Sequence, residues 1–558
     1  MARTPLLRKL QALYQDFAEA ERSGKPVEQV QEERRQGTWT RRDFIKASSA
    51  TVGAAAFTGP IAAFAASPPP RIAIIGGGIA GLNAALTLHD AGYASTIYEA
   101  SNRVGGRMHS DTTSWNGQVS EHCGELIDTK HKTIQGLAKR FGFGLTDLLA
   151  AQPNQSTDTN YFFGQYYSDD QANIDFKPVY NQVHADASAA GFPTLYNSWT
   201  ARGYELDHMS LYDYIEKYVP PAPGQVGGHS SPMGRLLDVA YNTEYGGEST
   251  VQSSLNLIYL LAYQPQPGDF RIFGLSDERY HVTGGNEQVP RAIANYLPGG
   301  TGPGGSVKLS WALTGIVMNP DGTWTLTFST PGGTMTTVAD RVIMAIPFSV
   351  LRTLLSSSHA YRAAGFDSLK QTAIQQLGYG SNSKLHLQFT SRLWNTSGPW
   401  GLSTGYTFTD DGYQNTWDVT RGQGNLLTDP GILVNYTGGN VGLTFSDPTK
   451  VQEYATRFLE QLEPVFKGIT KLYNGLATVD YPFGNPYLLG SYSFWKVGQY
   501  TQFSGYEKAR QPDPVTGKCH FAGEHCSINF QGYMEGGAEE GARAAGEVLD
   551  DYKVGLFP

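Results

Sequence analysis

RIAIIGGGIAGLNAAL, Arg71–Leu86, is the stretch whose reading decides the fold. Arg71 to Ile75 is a short apolar run of strand type, and Leu82, Ala85 and Leu86 then recur at helical spacing. Between them Gly76, Gly78 and Gly81 match G-x-G-x-x-G. The first glycine makes the turn, the second lets backbone approach a pyrophosphate, and the third lets helix pack on strand. The helix N-terminus offers unpaired N–H groups and partial positive charge to the phosphates. A second short strand, Thr96-Ile97-Tyr98, ends at Glu99, 23 residues after Gly76. A carboxylate there accepts hydrogen bonds from a ribose and disfavours a 2′-phosphate. The pattern predicts a dinucleotide-binding unit; the alternative is a glycine-rich structural turn.

The totals bound the rest. At 558 residues the chain can bury at least two domains. With 32 Tyr, 26 Phe and 9 Trp it has globular rather than disordered composition. A net charge of -9 and a pI near 5.8 exclude a nucleic-acid partner, because no basic stripe replaces counterions. Cys123, Cys519 and Cys526 cannot build a disulfide framework, and no metal-ligand spacing stands out, so no metal is expected.

Residues 1–69 read as an extension rather than a core. From Thr40 to Ala66, Arg41 and Arg42 precede Phe44 and Lys46, an Ala/Gly-rich run follows, and Ala63-Phe64-Ala65 forms a small-x-small cleavage site. This resembles a bacterial twin-arginine signal, which implies export to the periplasm or beyond in the folded state. A buried Ala-rich helix is the alternative. The run is short and carries Pro60, so no stable membrane insertion is expected. Leu6, Leu10, Leu13, Tyr14 and Phe17 predict an amphipathic helix over 5–22.

Ala100-Ser-Asn-Arg103-Val-Gly105-Gly106-Arg107 follows Glu99 directly. It resembles the second glycine motif of the flavin-dependent amine oxidoreductases, which include monoamine, polyamine and L-amino acid oxidases. There the motif lies along the FAD pyrophosphate and flavin. Near the C-terminus, His520-Phe-Ala-Gly523-Glu524-His525, Phe530-Gln531-Gly532-Tyr533-Met534-Glu-Gly536 and Gly541-Ala-Arg543 resemble the family's terminal flavin motif. A buried strand ending at Gly523 and a helix starting near Tyr533 would turn a helix N-terminus toward the flavin. The resemblance implies that Glu524 bonds the ribityl chain, that Gln531 and Met534 border the cofactor, and that Val307 touches the adenine. It also covers Val282-Thr-Gly284-Gly285-Asn286 and Arg341–Pro347, and so spans about Arg71 to Lys553.

Candidate chemistry follows from the same resemblance. Lys384 heads a period-two run, Lys384-Leu-His-Leu-Gln-Phe389, and matches the family lysine that holds a water beside flavin N5. Tyr492 and Tyr533 match aromatic rings flanking the substrate amine, and the carbonyl matching Gly532 accepts from a substrate amino group. Core packing is the alternative for either tyrosine. Ser491 stands where monoamine oxidases carry the cysteine that bonds FAD, so FAD is expected to be noncovalent. One departure matters. Many L-amino acid oxidases clamp the substrate carboxylate with an arginine; here the stretch is Cys123-Gly124-Glu125-Leu126-Ile127-Asp128, and Leu126 falls near the arginine position. Gly124, Glu125 and Leu126 are still expected beside the cofactor. Arg235, Arg271, Arg279, Arg392 and Arg421 are candidate replacements for the clamp. Asp128 either attracts a cationic substrate, as in polyamine oxidases, or caps a helix from His131 to Phe141.

The expected fold is α/β: a discontinuous Rossmann-like FAD domain (70–135, 280–350 and 512–553), a helical substrate region (136–279) and an α+β substrate domain (351–511). Helices at Ser210–Tyr218 and Ser253–Tyr263 are expected to line or cover a cavity. The expected activity is that of an FAD-dependent L-amino acid oxidase using dioxygen, acting on large neutral or aromatic substrates, in a homodimer. An amine or polyamine oxidase, an amino acid 2-monooxygenase and a non-catalytic FAD-binding protein remain open beside it.

Overall fold

The computed structural model describes residues 70–221, 226–262, 273–274, 276–302 and 304–553. The export signal, the amphipathic segment at 5–22 and Arg271 lie outside the described residues. The strand predicted at Arg71–Ile75 is Ile72–Ile75, buried along its whole length. It sits at the centre of a parallel sheet of five strands, in the order Cys519–Phe521, Arg341–Met344, Ile72–Ile75, Thr96–Tyr98, Val307–Lys308. Numbered along the chain, that order is 5-4-1-2-3, the doubly wound arrangement in which ligands bind where the winding reverses. The reversal falls between Ile72–Ile75 and Arg341–Met344, and the glycine turn leaves the C-terminal end of the first. Segments 70–135, 280–350 and 512–553 each contribute to this sheet.

Two helices cover one face. Ile79–Asp90 follows the glycine turn, and Met534–Lys553 lies along it. They approach closely because Gly541 faces the Ala80 carbonyl and Gly537 faces Ile79. Asn83 Nδ2 donates to the Ala538 carbonyl at 2.8 Å across the same seam. The short helix Lys132–Arg140 then takes its N-terminal bonds from far along the chain. The Glu535 carboxylate accepts from Thr133 N and Ile134 N, both at 2.8 Å. This corrects the capping role considered for Asp128, whose carboxylate instead accepts from Ser276 Oγ and Glu278 N.

The second layer system is a mixed seven-stranded sheet in the order Tyr473–Asp480, Ser383–Phe389, Gly431–Thr437, Asn415–Asp418, Ser403–Thr409, Thr157–Phe162, Gln165–Tyr167. The run beginning near Lys384 is the strand Ser383–Phe389, central enough that every residue is buried. Helix Pro232–Tyr245 packs on this sheet, and Asp169–Ala190, Leu211–Tyr218 and Ser254–Leu261 pack against that helix and one another. Ser168, Ser210, Ser231 and Ser253 cap them, each side chain accepting an N–H of the first turn. Leu211–Tyr218 and Ser254–Leu261 form where expected but line no cavity. Their apolar residues, such as Leu255, Leu257 and Ile258, are fully buried in the main core. The polar C-terminal turn of Pro232–Tyr245 reaches the cavity instead, through Thr243 and Glu244.

The helix seam gives a direct test. A Val at Gly541 would overlap the Ala80 carbonyl and force the two helices apart. Gly541→Val is expected to destabilise the protein by about 1–3 kcal/mol, the cost of overpacking a tight core. A lowered apparent Tm in thermal unfolding checks this; an unchanged Tm would mean the seam has slack.

Candidate active site

A cavity of about 670 Å³ runs from the glycine turn to the face of the seven-stranded sheet. At one end, the three motif glycines differ in the way a dinucleotide requires. Gly76 has φ +106°, and a Cβ there would sit 2.7 Å from the Ala345 carbonyl oxygen. A Cβ on Gly81 would overlap the Gly76 carbonyl; Gly81 is not on the wall and serves strand–helix packing. Gly78 alone opens on free space, so its backbone is accessible from the cavity. The helix behind it starts without a side-chain cap and without an acidic residue in its first turn. Its N–H groups are therefore available to an anion.

The second glycine motif closes on the first. Gly105 N donates to the Gly77 carbonyl at 2.8 Å, and Gly105 and Gly106 both adopt positive φ. The Glu99 carboxylate, held by Gly77 N at 2.6 Å and Ser101 N at 2.8 Å, faces the same space. Trp311, Ala312, Leu313 and Thr314 form the neighbouring wall. Val307 is not on this wall: it is buried beneath, paired with Ile97 in the sheet. The strand's inner residue packs in the core, and the chain reaches the cavity only four positions later.

Further in, Arg107, Gly124, Leu126, Gly523, Glu524, Gln531, Gly532 and Met534 line the wall together. Glu524 accepts from Arg107 Nη1 at 2.9 Å, Ser493 Oγ at 2.8 Å and Gly532 N at 2.8 Å. Burial alone would push its carboxyl up, but Arg107 and these donors hold it below the ordinary range. Gln531 is fully buried, and both atoms of its amide lack a protein partner among the described residues. A buried amide left so is costly unless a ligand completes it. With the open Gly78, the free helix N-terminus and Glu99, these residues fit FAD.

At the other end, Lys384 Nζ donates to Glu125 Oε2 at 2.7 Å and to the Glu121 carbonyl at 3.0 Å. Trp417 Nε1 donates to Glu125 Oε1 at 3.0 Å, and the ammonium lies 5.5 Å from the indole centroid. Trp417 packs edge-on against Tyr436, whose hydroxyl meets that of Tyr492 at 2.9 Å. Tyr492 donates in turn to the Glu244 carbonyl at 2.5 Å. Tyr406, Tyr533, Glu244 and Glu278 complete the wall, with Tyr406 donating to Glu278 at 3.3 Å. Burial, with Glu244 and Asp128 nearby, drives the Glu278 carboxyl well above the usual range. Its backbone is strained as well, with φ +44° at a non-glycine residue.

Lys384, Tyr492, Gly532 and Tyr533 thus share one cavity with the FAD-end residues. Sequence reasoning missed Trp417, Tyr436, Tyr406, Glu244 and Glu278. Tyr436 sits opposite Lys384 in the antiparallel register, a pairing visible only once strand order is known. The candidate carboxylate clamps are placed elsewhere. Arg235 lies between Asp238 and Asp410, Arg279 pairs with Asp147, and Arg392 is buried against Asp418. Arg421 is off the wall, though its charge acts on Glu278 and Tyr406. Among the described residues the arginines that do line the cavity are Arg103 and Arg107, at the FAD end.

The family model for flavin-containing amine oxidoreductases matches residues 79–549. The chain belongs to this family. Curated relatives include the mouse (Mus musculus) L-amino-acid oxidase, 23% identical over 510 residues, covering 88% of this chain and 72% of the relative. The L-amino-acid oxidase of Vipera ammodytes ammodytes is 24% identical over 507 residues, covering 86% and 93% respectively. Among solved structures, cyclohexylamine oxidase from Brevibacterium oxydans superposes with TM-score 0.70 at 21% identity, covering 87% of this chain and 100% of that one. Putrescine oxidase bound to putrescine gives 0.69 at 17% identity, covering 87% and 99%. A flavin cofactor and an oxidoreductase activity on small molecules follow from family membership.

Two outcomes are expected at this site. Gly78→Ala meets no protein atom within 4 Å, so the apoprotein Tm should hold while FAD affinity falls about tenfold, near 1.4 kcal/mol. Titration of apoprotein with FAD, followed by flavin fluorescence, checks it. Separately, burial pushes the Glu121 carboxyl up to about 8. Between its ordinary value and 8 the folded state holds a proton that the unfolded chain has lost, so stability falls as pH rises through that window. Glu121→Gln keeps the neutral form and should flatten this part of a Tm-versus-pH profile.

Proposed function

We propose that this chain is an FAD-dependent oxidase of primary amines, taking a cationic or amine substrate against a carboxylate and tyrosine wall. The observation that carries this reading is the substrate end itself: Glu278 and Glu244 face the cavity, and no wall arginine stands there to clamp a carboxylate among the described residues. An α-amino acid would bring its carboxylate toward these glutamates. An ammonium finds Glu278, the Glu244 side and the aromatic faces of Trp417, Tyr436, Tyr492 and Tyr533.

When bound, FAD would accept a hydride equivalent from the carbon bearing the nitrogen and pass the electrons to dioxygen. The chain supplies position and charge. Glu278, which burial keeps protonated, ionises against an incoming ammonium because an opposite charge favours the carboxylate, while Tyr492 and Tyr533 flank the nitrogen and their apolar faces exclude water. Gly532, free of a side chain at φ +87°, brings its backbone against Tyr492 and into the cavity. Lys384, on the wall beside Glu125, holds a proton at Nζ within the cavity. A working lysine there disfavours a non-catalytic binding protein. Ser491 Oγ donates to Asn382 Oδ1 at 2.6 Å, which supports noncovalent FAD. We extend the same reading to export through the segment at 40–66 and to a homodimer.

L-amino acid oxidation is the second reading, favoured by relatives that bear that name over most of the chain. Among the described residues it requires Arg421 to reach past Glu278 to a substrate carboxylate. Anaerobic flavin reduction separates the two, because phenethylamine and L-phenylalanine differ only in the carboxylate. Bleaching by the amine is expected; bleaching by the amino acid alone would overturn the proposal. Glu278→Gln should raise KM for the amine about tenfold, or 1.4 kcal/mol, with kcat less affected. In Lys384→Met, anaerobic reduction should persist while reoxidation by dioxygen slows.

A further inference from the structure

Behind the Lys384–Glu125 pair lies a second, smaller cavity of about 90 Å³. Its walls are Ser120, Glu121, Glu125, Thr146, His281, Thr283 and Gln423, with backbone from Gly284 and Gly285. Glu125 is the residue common to both cavities. One of its oxygens holds Lys384 Nζ at 2.7 Å and the other accepts from Trp417, so the side chain stands as a partition between them. At the far side Thr146 and Thr283 meet hydroxyl to hydroxyl at 2.9 Å, and Thr283 is exposed. The space is lined by polar and apolar groups, Val119 and Val419 among them, and is large enough for a few water molecules, which need two or more polar partners each.

We propose that Glu125, Lys384 and this small polar cavity form a proton path between bulk water and the substrate cavity. Reduction of dioxygen to hydrogen peroxide takes up two electrons and two protons. When Lys384 Nζ gives a proton to the cavity, the Glu125 carboxylate takes one at Oε2 from water in the small cavity and passes it to Nζ, and bulk solvent restores the proton to that water. One proton enters the cavity for one taken from solvent, and no electron moves. The groups facing Glu125 suit this traffic. Lys384 comes from Ser383–Phe389 and His281 from Tyr280–Val282, with the Arg421 charge beyond it. Glu121, on its own segment, has a carboxyl held by Asn286 N at 2.7 Å and Ser110 Oγ at 2.8 Å. Burial favours its protonated form and the neutral form of His281, so neither traps a passing charge.

The path rests on the flavin-oxidase reading, but its test needs no amine. Holoenzyme is photoreduced without substrate and mixed with dioxygen in H2O and in D2O across a pH range. Glu125→Gln keeps the size and the Trp417 bond but carries no proton. Thr283→Phe blocks the mouth from the exposed side, far from the substrate cavity. Both variants are expected to slow reoxidation about tenfold or more at alkaline pH, with a larger solvent isotope effect than wild type. Infrared difference spectra of photoreduction should lose a carboxyl band in Glu125→Gln, a readout independent of turnover. Wild-type rates and isotope effects in both variants would overturn the path. A slow Glu125→Gln beside a normal Thr283→Phe would also overturn it, leaving Glu125 as a positioning residue for Lys384. Should Glu125→Gln fail to fold, Thr283→Phe decides alone. Failure of every amine to reduce the flavin would sink the functional reading and leave this measurement intact.

Discussion

The Glu524 carboxylate is the point where the three parts of the site are tied. It accepts from Arg107, which follows the second glycine motif, from Ser493 beside the seven-stranded sheet, and from Gly532 at the entrance to the last helix. Arg107 lies 417 positions before Glu524, while Ser493 and Gly532 lie 31 and 8 positions from it, and no strand pairing links them directly. A buried carboxylate with one guanidinium and several N–H and O–H donors is stable only if all arrive together. Removing any one leaves a charge or an N–H unpaired, at a cost of several kcal/mol for the charge. The FAD-end wall is therefore fixed by a charge that the fold must satisfy before any cofactor binds. Arg107 shows the same logic from the other side, since its Nη1 also donates to the Ser491 carbonyl at 2.8 Å.

The substrate end is built differently. Its lysine comes from an inner strand, where a buried strand usually carries apolar side chains on both faces. Ser383–Phe389 instead alternates Lys384, His386 and Gln388 with Leu385, Leu387 and Phe389. The apolar members enter the core with Trp394 and Phe458, while the polar members face partners across the sheet. Gln388 is satisfied by Gln118 and Asn474. Lys384 is satisfied by Glu125, and that pairing places an ammonium in a cavity that is otherwise aromatic. The ion pair is poor evidence of stability by itself. Its place between two cavities, with an indole N–H on the remaining oxygen, gives it a chemical purpose.

Much of the FAD end was legible because its chemistry is local. Gly76, Gly78 and Gly81 must be glycines for three separate reasons, and each reason operates within a few residues of chain. Glu99 follows from the same unit, since it ends the strand adjacent to the glycine turn. The C-terminal motif was readable for a similar reason, as a strand, a tight loop and a helix in sequence. Val307 lies off the wall because adjacency in the sheet does not say which residue reaches the cavity; the chain reaches it at Trp311. Asp128 was misread because the helix after it draws its cap from Glu535, a partner no local pattern reveals. The two helices expected to line or cover a cavity give their apolar residues to the main core, which surrounds Ser254–Leu261 and meets one face of Leu211–Tyr218.

The sequence by itself determined the doubly wound sheet, the site of dinucleotide binding, the family and the lysine at the cavity's inner end. These rest on turn geometry, alternation and short-range hydrogen bonding, all written within single segments. Only the tertiary structure decided the character of the substrate end. Trp417, Tyr436, Tyr406, Glu244 and Glu278 belong to separate strands, helices and loops, and they converge through strand order and register. The fate of Arg392 and Arg279 was settled the same way, because a guanidinium goes to whichever carboxylate the fold brings within reach. Arg392 found Asp418 and Arg279 found Asp147, and the cavity was left to the glutamates.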